Sequence, residues 1–535
     1  MEFGDKKKSL IDRLERNNTR ILIALFTLTG FLLSFRCWDC MNLESERATL
    51  LHTTTAGLSN MVNFYTGQMV VLKPFLMVFG QSLLVVRIVE GLVVALTVVS
   101  GYLLGRELYG KKTGILFSLA LVLTPTMTLL RESEWLYLVF FSVIISYSWI
   151  RTLKDQSYTA FGITGFLLGI GMYQKYFVAY VFFALFLATL AYQKEFLIDT
   201  RSILRKLSVF LILLLIGVSP LIKFSIESSV NPVKSSMDKV SGSQNSIFSI
   251  LRTRCSQVVN SLNPGEKIME ITYSPKNYRS GTLHNPALVV ALIAISVSVL
   301  ILYGDVSEKF LLIMLTVLFL LTLITPSDVT QLHVLPAIPF FVLVLSRAVT
   351  LSFEKDLQIK YAVAGLLSII LLTNILAFNH YHSRIGDQGW VEDNMEERAI
   401  IHTEARRKIN EIYEDLPHRF VMPSKTYLIK YWTKDLCSND YIQTESETLN
   451  EIRCQKPEKV LECSNSTDKL VLPYPSFKKD GSDIWRRYYC SNDMNKSCFK
   501  PYLTLERDDN VNMTVVENLK DTEGKIVYQV LDITC

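Results

Sequence analysis

The sequence predicts a mainly α, polytopic membrane bundle that carries a C-terminal extracytoplasmic domain. Three observations predict it. Apolar runs of roughly 15–20 residues, the length a bilayer-crossing helix needs, recur through the first 378 residues. Lysine and arginine collect in alternate connections between those runs. Past residue 379 the chain turns polar and holds six of its nine cysteines.

Composition bounds the class. Half of the 535 residues are hydrophobic and the mean hydropathy is positive, as in a membrane protein rather than a large soluble enzyme. A net charge of +5 is small for this length and argues against a nucleic-acid partner. Residues 1–20 form a polar, basic segment (Lys6, Lys7, Lys8, Arg13, Arg16, Arg20) that leads into an apolar run without a small-residue cleavage site. That run reads as an uncleaved first span and the segment as cytoplasmic.

The runs fall at 21–36, 82–104, 113–130, 135–150, 159–174, 176–192, 207–223, 286–303, 310–325, 333–350 and 361–378, about eleven spans in a membrane domain covering 21–378. The basic connections hold Arg106, Lys111 and Lys112; Arg151 and Lys154; Lys194, Arg201, Arg205 and Lys206; and Arg347, Lys355 and Lys360. Counting spans puts them all on one side, which the positive-inside rule makes the cytoplasm. External loops then lie at 37–80 and 224–285. In the second, Ile247, Leu251, Val258 and Leu262 fall at helical spacing. They mark a helix lying in the outer interface or packed on the tail domain.

The tail, 379–535, reads as a separate small α/β or β-rich domain. Its segment from Met395 to Tyr413 is helical and charged, while Thr514-Val515-Val516 and the run from Lys525 to Val530 alternate like strands. Cys437, Cys454, Cys463, Cys490, Cys498 and Cys535 suit disulfides in an oxidising compartment, with fifteen pairings open. A zinc site is the rival reading, weakened by the lack of a CxxC pair. Asn465, Asn495 and Asn512 each open an N-glycosylation triplet, which agrees with an external tail.

Ionisable residues at the outer bilayer edge are the candidate site, because charge there is costly. They are Glu44 and Glu46 after the first span, Lys73 where the chain re-enters, Arg131, Glu132 and Glu134 between spans three and four, and Lys175 in a tight turn between spans five and six. Each alone reads as a helix-cap carboxylate, a snorkelling cation or a solvated hairpin. Four separate segments reaching the same face point to a site. A carboxylate can take a proton from an acceptor hydroxyl, and a cation can hold a phosphate leaving group. The Glu44-x-Glu46 pair could also bind Mg²⁺ or Mn²⁺ through hard oxygen ligands.

The chain here resembles the GT-C glycosyltransferases of the protein mannosyltransferase and lipid A aminoarabinose-transferase type. Glu44-Ser45-Glu46-Arg47-Ala48 is similar to their Asp-Glu-x-Arg-Tyr-Ala motif, with Glu for Asp and the tyrosine missing. Lys73-Pro74-Phe75-Leu76 is similar to their Lys-Pro-Pro-Leu-Tyr. Arg87-Ile88-Val89 resembles their Arg-Leu-Pro, and the segment from Leu103 to Gly110 their Leu-Leu-Gly-Arg-x-Leu-x-Gly. Thr124-Pro125 with Arg131-Glu132 look like the family's external hairpin, and Gly169 to Lys175 like its Gly-Leu-Ala-x-x-Thr-Lys. The segment from His333 to Pro339 resembles Arg-Tyr-x-Leu-Pro-x-x-Pro, with His333 where a cation is usual. The resemblance covers roughly residues 20–350 in order and placement.

It implies transfer of a single sugar, mannose or a similar hexose, from a polyprenyl or dolichyl phosphate to a protein, glycan or lipid acceptor on the extracytoplasmic side. It further implies inversion and no obligatory metal. Glu44 or Glu46 would be the base, Lys73, Lys175 and Arg131 would hold the donor phosphate, and Glu132, Glu134 and His333 would line the substrate site. The membrane would be an archaeal cell membrane or the endoplasmic reticulum. Two rivals stand beside this reading: a transporter or lipid-linked-sugar flippase, and a non-catalytic relative acting through its tail.

Overall fold

In a computed structural model the described residues are 18–32, 67–79, 83–124, 127, 134–175, 177–192, 200–227, 247–263, 285–323, 331–388, 420–421, 468–473, 512–520 and 526–534. The chain divides into two compact units. One comprises Met1–Trp38, His52–Thr272 and Arg279–His380, and the other Asp39–Leu51, Tyr273–Tyr278 and Tyr381–Cys535.

The first unit is a helical bundle. Its elements are α1 (Asn18–Leu32), α2 (Gly67–Phe79), α3 (Leu83–Tyr109), α4 (Lys111–Val122), α5 (Glu134–Asp155), α6 (Tyr158–Gln174) and α7 (Val178–Ala191). After these come α8 (Thr200–Glu227), α9 (Ile247–Leu262), α10 (Pro286–Tyr303), α11 (Val306–Thr322), a 3-10 helix (Gln331–Ala337), α12 (Ile338–Glu354) and α13 (Lys360–Gln388). A helix lies on each of the eleven apolar runs. Among the described residues, six helical stretches are long and apolar enough to cross a membrane: Arg87–Tyr109, Leu136–Asp155, Arg205–Ile222, Pro286–Tyr303, Val334–Glu354 and Lys360–Asn379. The remaining helices on those runs are shorter.

Burial sorts the helices into core and rim. The stretch Val334–Glu354 is 94% buried and forms the middle of the bundle, whereas Arg205–Ile222 is only 17% buried. Leu211, Ile212, Leu215 and Ile216 on α8 stay exposed, as residues facing lipid would be. Small residues join α8 to the bundle. A β-carbon on Gly165 would lie 2.2 Å from the Phe210 carbonyl oxygen, and one on Gly169 2.4 Å from that of Leu214, so the two backbones meet where no side chain fits. Some buried hydroxyls inside the spans are satisfied along their own helices, as where Ser142 donates to the Leu138 carbonyl and Thr189 to the Leu185 carbonyl, and others across helices, as where Ser118 donates to the Val98 carbonyl.

Three elements depart from the sequence reading. The re-entry after the first external loop is itself a helix, α2, despite Pro74 in its interior. The expected span 333–350 begins instead as a 3-10 helix containing Pro336, and α12 starts only at Ile338, with Pro339 in its first turn. Two prolines without N–H donors break the α ladder there, and proline is tolerated at a first turn. On α9 the expected apolar stripe is only partly buried. Phe248 and Leu251 are exposed, while Val258 and Leu262 are buried together with Arg254, Gln257 and Ser261. That face packs against the 3-10 helix, α10 and α12.

In the second unit the described residues form a four-stranded sheet: β1 (Phe420–Val421), β2 (Asp468–Pro473), β3 (Asn512–Lys520) and β4 (Ile526–Thr534), in the order β1-β2-β4-β3. β3 and β4 form an antiparallel hairpin with Val515 opposite Leu531, a bulge follows, and β1 runs parallel to β2. The alternating run at 514–516 lies on β3, and residues 526–530 of the second run lie on β4. The segment Met395–Tyr413 and the six tail cysteines lie outside the described residues.

Candidate active site

Contacts between helix ends fix which residues share an end of the bundle. At one end, Lys154 on α5 donates to Glu107 on α3 at 2.9 Å, and Tyr109 donates to the Ser307 carbonyl at 2.9 Å. Beside them Arg347 on α12 donates to Glu308 at 2.7 Å and to Glu354 at 2.7 Å, with its guanidinium 5.0 Å from the Tyr109 ring centre. Lys154 and Arg347, from two of the basic connections, therefore meet at this end beside Glu107 and Tyr109, which neighbour a third.

The opposite end is set by helix register. α3 and α5 run in parallel, since Glu107 meets Arg151 and Lys154. Seventeen residues before Glu107, Glu90 is correspondingly within electrostatic range of the Tyr137 hydroxyl. α5 and α6 form an antiparallel hairpin. The Thr152 hydroxyl donates to the Ala160 carbonyl, Ser148 bonds Thr164, and Phe141 flanks Gly171. The next step along that ladder brings Tyr137 level with Gln174 and Lys175. α2 leads directly into the start of α3 and packs on α3, α5 and α6. α11 runs away from Glu308, so its last residue, Thr322, also lies at this end.

Buried polar groups concentrate here. Arg87 and Glu90 are fully buried and paired at 3.1 Å. Lys175 is 6% exposed, and its N–H continues the α6 ladder to the Gly171 carbonyl at 2.9 Å. Arg254 is fully buried. Its Nε donates to the Thr322 carbonyl at 3.1 Å, and Nη1 to the Gln257 side-chain oxygen at 2.7 Å. Burial pushes the Arg254 guanidinium down to about 10, so it keeps its charge at neutral pH. The Tyr137 hydroxyl and both ends of the Gln174 carboxamide are buried and find no hydrogen-bond partner among the described residues.

Of the residues singled out from sequence, Lys175 is a buried cation at this end. Lys73 lies on α2, Glu134 opens α5, and His333 stands in the 3-10 helix that packs on α5, α7, α9 and α11. Glu44, Glu46, Arg131 and Glu132 lie outside the described residues. Among the described residues no group of three or more His, Cys, Asp or Glu could hold a metal ion. Sequence reading passed over Arg254, Gln174 and Tyr137. The signal for Arg254 was present, because Arg254, Gln257, Val258, Ser261 and Leu262 share one helical face. Tyr137 and Gln174 carry no local signal.

Residues 69–224, from α2 to near the end of α8, match the family model of dolichyl-phosphate-mannose-protein mannosyltransferases. No curated protein matches the chain as a sequence relative. Among solved structures the chain is similar to ArnT from Cupriavidus metallidurans bound to undecaprenyl phosphate. That match has a TM-score of 0.56 and 11% identity, covering 95% of this chain and 97% of that one. The same protein in its apo state matches at 0.53 and 11%, with the same coverage. An oligosaccharyltransferase from Archaeoglobus fulgidus in complex with zinc and sulfate matches at 0.43 and 13%, covering 76% of this chain and 57% of that one. At such identities the structural likeness is one of fold. The chain therefore has helices long and apolar enough to cross a membrane, shares the fold of ArnT, and is similar over residues 69–224 to the protein mannosyltransferases.

Proposed function

We propose that this protein moves a single sugar, mannose or a similar hexose, from a polyprenyl or dolichyl phosphate to an acceptor hydroxyl on the extracytoplasmic side. The acceptor is a protein, glycan or lipid. The observation that carries the reading is a pair of buried cations, Lys175 and Arg254, at one bundle end in a chain whose residues 69–224 match a mannosyltransferase family. A cation at this end can stabilise the charge of a lipid phosphate as it departs. One structure of the ArnT fold is bound to undecaprenyl phosphate, which supports a donor of that class.

In this mechanism Glu44 or Glu46 takes the proton of the acceptor hydroxyl as the new bond forms. Lys73, Lys175, Arg131 and Arg254 hold the phosphate and stabilise its charge as it departs. A single displacement of this kind inverts the anomeric carbon. Glu132, Glu134 and His333 line the substrate side. The tail and external loops face the lumen of the endoplasmic reticulum or the outside of an archaeal cell, with the N-terminus in the cytoplasm. No metal is required, although Glu44 and Glu46 could take Mg²⁺ or Mn²⁺.

The test is direct. The purified full chain is incubated with radiolabelled polyprenyl-phosphate mannose or glucose and with protein, glycan and lipid acceptors. Label leaving the donor for one acceptor class is the expected result. Label reaching none of them overturns the reading.

A further inference from the structure

We propose that Tyr137 and Gln174 form the subsite that reads the hydroxyls of the donor's sugar ring, an inference that rests on the transferase reading above. Along the seam between α5 and α6 the polar side chains are paired. Ser142 and Ser146 donate to carbonyls four residues back, Ser148 bonds Thr164, and Thr152 bonds both Thr164 and the Ala160 carbonyl. At the Tyr137–Gln174 level the pairing stops. Tyr137 is 1% exposed and Gln174 2% exposed, yet the phenol oxygen, the amide oxygen and the amide nitrogen find no partner among the described residues. Protein interiors rarely leave such groups unmet, and those that occur often mark a bound partner.

The chemistry of the two groups selects the partner. A carboxamide both donates and accepts, and so does a phenol. A phosphate only accepts, so the Gln174 amide oxygen would oppose it. A sugar hydroxyl, which also donates and accepts, satisfies both. Position agrees with this, because Gln174 immediately precedes Lys175. A neutral donor-acceptor group beside a cation fits a sugar ring beside its phosphate. Glu90, within electrostatic range of the Tyr137 hydroxyl, adds an acceptor to that corner.

The full chain in detergent, without acceptor, provides the test. Dissociation constants are measured for polyprenyl-phosphate mannose, polyprenyl-phosphate glucose and bare polyprenyl phosphate, with Tm measured in the absence of lipid. Wild type should bind at least one sugar-bearing lipid more tightly than the bare lipid. Tyr137→Phe and Gln174→Met should each cut that preference about five- to tenfold while leaving bare-lipid affinity within about twofold. Both substitutions remove unmet polar atoms, so the Tm of each variant should equal or exceed that of wild type. A preference unchanged in both variants, equal loss for all lipids, or a Tm lowered by either substitution overturns this subsite. Wild type that binds bare lipid without preferring either sugar also overturns it and leaves the transferase reading standing. Wild type that binds no lipid phosphate overturns both.

Discussion

The two ends of the bundle are both polar but treat their polar groups differently. At the Arg347 end the buried carboxylate of Glu308 accepts from the Arg347 Nε at 2.7 Å, the Asp305 backbone N–H at 2.9 Å and the Ser307 hydroxyl at 3.0 Å. The same guanidinium also holds Glu354 and covers Tyr109. The Lys175 end holds the buried cations Lys175 and Arg254, and also a phenol and a carboxamide that no described residue meets. A saturated network is finished by the protein itself and serves folding. An unsaturated one needs something from outside, and it is the end at which the chemistry is proposed. Variants at the two ends should therefore fail in different ways.

The largest effect is expected in the acidic loop. Removing a positioned general base costs about 10²–10⁴-fold in turnover. Either Glu44→Gln or Glu46→Gln should nearly abolish transfer from radiolabelled polyprenyl-phosphate sugar while donor binding survives. Full activity in both single variants would remove this loop from the catalytic centre. Lys175→Met should follow, losing roughly 10²–10³-fold in transfer through lost stabilisation of the leaving phosphate. Its donor Kd should rise with little change in Tm. A variant that loses Tm and activity in parallel would make Lys175 a structural cation and blur the contrast between the ends.

The Arg347 end should show the reverse. Arg347→Met leaves Glu308, which is 1% exposed, buried without its cation. Breaking one partner of a buried pair costs about 3–5 kcal/mol. Thermal unfolding in detergent should register that loss, while transfer per folded molecule stays at the wild-type value. A variant with normal Tm and poor transfer would place function at both ends.

Between the ends lies the glycine seam. Gly165→Val puts atoms where the Phe210 carbonyl stands, so α6 and α8 must separate. Overpacking of this sort costs about 1–3 kcal/mol or more. Because Lys175 caps α6, donor affinity should fall along with Tm. Unchanged Tm would mean that α8 shifts freely against the bundle.

What the sequence made legible follows from how locally each feature is encoded. Apolar runs announce helices because burial in lipid demands a contiguous stretch, and α10 falls on its expected run at both ends. Lys175 was visible because a charge between two apolar runs stands out. Tyr137 and Gln174 were not, since a single polar residue in an apolar helix takes meaning only from its level relative to other helices. α9 misled in the opposite way. The bundle buries the Val258 and Leu262 end of its apolar stripe but leaves Leu251 exposed, and the buried face also contains Arg254. The reason is tertiary, because the Thr322 carbonyl at the end of α11 gives that guanidinium an acceptor. The break at Gln331–Ala337 could have been read from Pro336 and Pro339, had their missing donors been weighed against the hydrophobicity around them.

The smallest effect separates charge at the rim from charge in the core of the same end. Lys154 bonds Glu107 at 2.9 Å, but nearly half of its side chain is exposed. Arg151 reaches the same carboxylate at 3.8 Å, so Glu107 keeps a cation when Lys154 is removed. Exposed pairs contribute about 0–1 kcal/mol, and salt screens them. Lys154→Ala should therefore shift Tm slightly at low salt, not at all in about 1 M NaCl where screening is nearly complete, and leave transfer unchanged. The double variant Lys154→Ala with Arg151→Ala should lose more than the two single variants together, because only then is Glu107 left alone at 12% exposure. If Lys154→Ala alone unfolds the protein as Arg347→Met is expected to, the rim pair belongs to the buried network and this end of the bundle is a single electrostatic unit. If neither the single nor the double variant moves Tm, pairing at the rim carries no weight, and the finished character of this end rests on Arg347 and Glu308 alone.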